Sequence, residues 1–116
     1  GCAVEVATAP EGDAGLTAFR PSFAKFQVVL SNYNGPTWSA ETRGDLEAFV
    51  GGGGGLVVVH AADNAFPEWK EWNEMIGVGG WGNRDERSGP YLRLREGRWV
   101  ADPTPGPGGS HGAQHE

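Results

Sequence analysis

The three histidines of this chain fall in two places. One is His60-Ala61-Ala62-Asp63-Asn64, directly after the apolar run Leu56-Val57-Val58-Val59. The other is "SHGAQHE", residues 110–116, which holds His111, His115 and Glu116. An imidazole titrates near neutral pH, so His60 can act as a general acid or base, with Asp63 or Glu116 to orient it. Equally, it can close the strand-end turn through a backbone hydrogen bond. Ligation is the other chemistry open to these groups. His111 and His115 stand four apart, a separation that brings two imidazoles together only on a helix, and Gly108, Gly109 and Gly112 oppose a helix there. A loop could still converge His111, His115 and Glu116 on a divalent cation with His60 or Asp63. Zinc suits such imidazole and carboxylate donors. The alternative is that both histidines are loop residues bonded to backbone or solvent.

Other chemistries are disfavoured. A nucleophile elbow presents Ser or Cys after a strand, whereas the corresponding position here reads Val59-His60-Ala61. A phosphate loop follows a strand and opens a helix, whereas Gly51 to Gly55 precede a strand. Tyr33, Trp38, Phe66, Trp69, Trp72, Trp81 and Tyr91 could each stack on the apolar face of a sugar ring. Trp69 and Trp72 sit at helical spacing and read as core. Trp81, set between glycines, is the better binding candidate.

The elements that must position these groups follow from the apolar pattern. Ala3-Val4-Glu5-Val6-Ala7 alternates and predicts a short strand. Leu16 to Phe19 predict a helical turn stopped by Pro21. Phe26 to Ser31 form a nearly continuous apolar run, which suits a parallel strand covered on both faces. The turn-forming stretch Asn32-Tyr33-Asn34-Gly35-Pro36 follows. Ser39 predicts an N-cap and Glu41 a first-turn acid, opening a helix whose Leu46, Phe49 and Val50 face the sheet. The glycine run stops this helix, and residues 56–59 form the second apolar strand. Strand, crossover helix and strand predict a right-handed βαβ unit within a parallel, doubly wound α/β sheet. Pro67 predicts the first residue of a further helix reaching Ile76, with Trp69, Trp72, Asn73 and Ile76 on one side. Tyr91 to Arg95 and Arg98 to Val100, joined by Glu96-Gly97, predict a β-hairpin insertion. Ligands of such a sheet bind at the carboxyl ends of its strands. Those ends carry Tyr33 and Asn34 in one case, and His60, Asp63 and Asn64 in the other.

The whole chain sets outer bounds. Its 116 residues suffice for one domain with a modest core. A formal net charge of −6 argues against nucleic acid as a partner. No apolar run approaches the ~18 residues of a membrane span. One cysteine, Cys2, can make no internal disulfide and leaves the compartment unassigned. The 20 glycines lie between apolar runs and beside tryptophans, a pattern of ordered loops with close backbone approach.

These segments resemble the ThuA-like family, named for trehalose utilisation. The matching stretches are "VVLSNYNG", "GGGLVVVHAADNAFPEW", "EWNEMIGVGGWGNR", "SGPYL" and "PGPGGSHGAQHE", and the resemblance runs from about Phe19 to Glu116. It implies a flavodoxin-like sheet of the class I glutamine amidotransferase kind. It further implies that residues 1–116 are one partial domain, with a strand and helix before Cys2 and further strands after Glu116. Carbohydrate metabolism is the implied setting, with trehalose, another glucoside or a keto-glucoside as the small-molecule partner. A homo-oligomer is compatible with this. The amidotransferase elbow holds a cysteine where this chain has His60, so glutaminase activity is not implied. By position, His60, Asp63 and Asn64 line the strand-tip pocket, with Tyr33 and Asn34 from the adjacent strand and His111 and His115 from an incoming loop.

Overall fold

A computed structural model describes residues 1–77, 91–104 and 106. Its centre is the expected parallel pair. Strand β1 (Val28–Ser31) lies beside β2 (Gly55–Val58), with Val28 opposite Gly55 and Ser31 opposite Val58. Helix α2 (Ala40–Gly51) makes the crossover. Its start is set locally: the Ser39 hydroxyl accepts the Thr42 N–H at 3.2 Å, leaving one fewer orphan donor in the first turn. Its end is set by the glycines. Gly52 donates to the Ala48 carbonyl, Gly53 takes φ 95°, and Gly54 donates to the Phe49 carbonyl at 2.9 Å. A positive φ suits Gly53 because it lacks a Cβ. Gly55 then opens the ladder by donating to Gln27 O. The glycine run is thus a helix-to-strand connection.

The core lies on one face of this sheet. Leu46, Phe66, Trp69 and Trp72 are almost wholly buried, joined by Leu16 of α1 (Asp13–Ala18), Phe23 and Trp38. Each such large side chain contributes roughly 1.5–3 kcal/mol of transfer free energy. Val29, Leu56 and Val58 meet the cluster from the strands. The opposite face differs from the expectation of double coverage. Val28 and Leu30 are 55% and 64% exposed, and Val57 and Val59 are open as well. Side chains alternate along a strand, so an apolar run predicts two apolar faces. Whether both are covered depends on what other segments pack there.

Two further expectations are corrected. Ala3 to Ala7 form no strand: Val4 and Val6 are each 82% exposed and no ladder takes them up. A strand needs a partner for its N–H and C=O groups, and alternation alone supplies none. Helix α3 runs Lys70–Ile76 and does not start at Pro67. Phe66 has φ 56°, and Trp69 N–H closes a turn on the Phe66 carbonyl at 2.9 Å. The Asn73 amide donates to the Trp69 and Pro67 carbonyls and holds that turn in place. The predicted face of α3 is kept, with Trp72 and Asn73 fully buried.

The hairpin forms as expected from β3 (Tyr91–Arg95) and β4 (Arg98–Asp102), antiparallel with Arg95 opposite Arg98. Glu96 and Gly97 have φ 50° and 75°, the two positive values that a tight primed turn requires. Arg93 pairs with Asp102 at 2.9 Å across the two strands.

Candidate functional site at the strand tips

Because β1 and β2 are parallel neighbours, their carboxyl ends leave the sheet side by side. The Val59 N–H donates to the Ser31 carbonyl at 2.9 Å, extending the ladder one step past β2. From there one chain runs through Asn32 to Gly35, and the other enters a 3-10 turn, His60–Asn64. Two sequence candidates from one tip and three from the other are therefore brought to one end of the sheet.

The Tyr33 side is well anchored. Its backbone N–H donates to the buried Ser31 hydroxyl at 3.4 Å, and its phenol donates to the Pro36 carbonyl at 2.6 Å. Its ring stacks on Phe66 at 5.4 Å and meets Trp38 at 5.2 Å. Burial pushes the Tyr33 phenol above its ordinary pKa, so it keeps its proton and acts as a donor at neutral pH. Asn34 is exposed.

On the other tip, His60 is exposed and opens the turn with φ 51°. Histidine enters this left-handed region more readily than most residues. Asp63 and Asn64 are half-buried, and the Asn64 side-chain oxygen is buried with no hydrogen-bond partner among the described residues. Such an acceptor left unmade costs roughly 1–3 kcal/mol. Ala62 and Ala65 are buried and seat the turn on the core. Just past the turn and its cap Ala65 comes Phe66, whose left-handed backbone is unusual for a bulky residue and costs of order 1–3 kcal/mol.

No protein-family model matches the chain, and no curated protein matches it either. A solved structure does: the crystal structure of a protein from Parabacteroides merdae ATCC 43184, described as ThuA-like, superposes with a TM-score of 0.81 at 43% sequence identity. This chain is ThuA-like. The match covers 97% of this chain and 40% of the solved one, so the chain spans well under half the length of that relative.

In this ThuA-like chain the remaining candidates divide cleanly. Trp81, His111, His115 and Glu116 lie outside the described residues. Among the described residues no group of three or more His, Cys, Asp or Glu side chains converges as a metal site. Trp38 and Phe66, grouped by sequence with ring-stacking aromatics, are buried at 6% and 1% exposure and belong to the core. Trp69 and Trp72 are core as their spacing predicts. The sequence reasoning missed the organising part of Phe66, whose ring lies 4.9 to 5.4 Å from those of Trp38, Trp72, Trp69 and Tyr33. Its place immediately before Pro67 marks a break from helix, but nothing local signals its left-handed backbone or its place among four rings.

One open groove of about 380 Å³ lies between α2 and α3, lined by Glu47, Val50, Gly51, Glu71, Glu74 and Met75. None of the strand-tip residues lines it. Glu47 is already engaged there as the acceptor of the Trp69 indole N–H at 2.7 Å.

Proposed function

We propose that this chain is part of a carbohydrate-handling domain whose site is built at the tips of β1 and β2. The observation that carries the proposal is the side-by-side exit of the Tyr33-Asn34 and His60-Asp63-Asn64 segments, in a chain 43% identical to a ThuA-like protein. The substrate class is a glucoside such as trehalose or its keto derivative. His60, exposed at the tip, is the acid–base group, and Asp63 shares its turn. Tyr33, Asn34 and Asn64 contribute hydrogen bonds to sugar hydroxyls, with the Tyr33 oxygen as an acceptor, because its proton is held by the Pro36 carbonyl. Trp81 and His111 complete the binding wall, and His111, His115 and Glu116 hold any divalent cation. Residues 1–116 belong to one domain, a part of a doubly wound, flavodoxin-like sheet of the class I glutamine amidotransferase kind. The imidazole at the elbow position excludes the cysteine chemistry of those enzymes. Turnover of 3-keto-glucosides by wild-type protein and His60→Ala tests the reading. A general acid–base role predicts a loss of roughly 10²–10⁴-fold, and equal rates would sink it.

A non-catalytic sugar-binding module is the second reading. It is favoured by the lack of an elbow nucleophile and by an imidazole with no orienting partner among the described residues. Calorimetry with disaccharides, alongside metal analysis, separates the two. Tight binding without metal or turnover selects the module.

A further inference from the structure

The geometry points to Phe66 as a positioning residue that locks the histidine-bearing turn against the Tyr33 loop. Four observations converge on it. Phe66 is 1% exposed and holds a left-handed backbone at φ 56°. Its ring stacks on Tyr33 at 5.4 Å with an interplanar angle of 17°, a contact made directly from one strand tip to the other. Its other contacts are edge-on: Trp38 at 4.9 Å, Trp72 at 5.2 Å and Trp69 at 5.3 Å. The turn just before it, His60–Asn64, begins at His60, itself left-handed at φ 51°.

The turn is therefore held at both ends. At its start, the hydrogen bond from Val59 to Ser31 ties it to the end of β1. At its finish, Phe66 is inserted among four rings, and edge-to-face geometry resists rotation more than a simple apolar contact does. Between these two points only Ala62 and Ala65 are buried, so the intervening side chains of His60 and Asp63 carry little packing of their own. Their placement relative to Tyr33 then depends on Phe66. Leucine would fill part of the volume but would lose the flat face that sets the Tyr33 ring. Tyrosine would keep that face.

This inference rests on the strand tips being the functional site, and its test needs no ligand, so it can stand or fall whether or not sugar binds. The His60 imidazole and Tyr33 ring signals are followed by two-dimensional NMR in wild type, F66L and F66Y, with urea melts run alongside. In F66L the His60 imidazole signal moves by several line widths, and in F66Y it returns to the wild-type position; the Tyr33 signal, beside the replaced ring, reports the loss and return of the stack. If Phe66 only packed the core, F66L would lower the urea midpoint while the His60 signal stayed in place, and that result overturns the proposal. Should F66L fail to fold, Tyr33→Leu removes the same stack from its half-exposed side. The His60 signal should then move, and an unmoved signal in a folded Y33L protein overturns the proposal equally.

Discussion

Ser39 and Asp102 are held by interactions made over a few residues, and both respond to simple changes. Replacing Ser39 by Ala leaves the Thr42 N–H without its acceptor. Urea melts should show a loss of about 1 kcal/mol. The Thr104 side chain, the Thr104 N–H and Arg93, in that order, hold the Asp102 carboxylate and depress its pKa to about 2. A depressed carboxyl stabilises the fold above its unfolded pKa, and the effect disappears as pH falls through the folded value. The hairpin should therefore be indifferent to pH from neutrality down to roughly 4 and loosen between there and about 2. Trp99 fluorescence followed through an acid titration reads this, since Trp99 lies on β4 and is 71% exposed. In the Arg93→Gln variant the folded pKa rises, so the loosening should be smaller and should be complete at a higher pH. The surface pair of Arg20 with Asp45 is bidentate, at 2.6 and 3.0 Å, but joins exposed groups and should matter little.

The junction between α2 and β2 is where element geometry is tightest. A Cβ on Gly54 would overlap the Phe49 ring, which packs against the core cluster. Gly54→Ala must push that ring aside, and a cost of about 1–3 kcal/mol is expected in thermal or urea unfolding. Gly44, where an added Cβ would meet nothing within 4 Å, has an ordinary helical place in α2 and is the control. There an alanine should stabilise by roughly 0.5–1 kcal/mol through helix propensity. Opposite signs at Gly44 and Gly54 would establish that close approach, and not glycine content, sets the connection. Between α2 and α3 the core is aromatic. Trp72→Ala should cost about 3–5 kcal/mol, a large share of the stability of a domain this size.

At the scale of the whole chain, the sheet face left exposed among the described residues dominates. Val28, Leu30, Val57 and Val59 project from one side of the β1–β2 pair and are all at least one-third exposed. An apolar patch of this kind promotes association. Sedimentation velocity on the chain should show self-association that rises with concentration, and Leu30→Lys should reduce it without lowering the urea midpoint, because Leu30 is 64% exposed and gives up little buried area. A net charge of −6 opposes association at low salt, so added salt should strengthen it.

Much of the local architecture was legible before any coordinates. The Ser39 cap, the glycine stop after α2, the parallel order of the two apolar runs, the Glu96-Gly97 turn and the buried side of α3 all follow from preferences expressed within a few residues: φ/ψ allowance, orphan hydrogen-bonding groups and side-chain period. The candidate site was legible in outline, because parallel strands must deliver their following loops to the same end. Tertiary structure alone decided the rest. It decided that Ala3 to Ala7 find no strand partner, that Val28 and Leu30 face outward, and that α3 begins after a turn held by Asn73. It also placed Trp38 and Phe66 in the core, and set left-handed backbone at His60, where the turn opens, and at Phe66, just past its cap. Each of these outcomes depends on contacts between residues far apart in the chain, and a pattern read along the sequence carries the periodicity of a face but not the identity of what covers it.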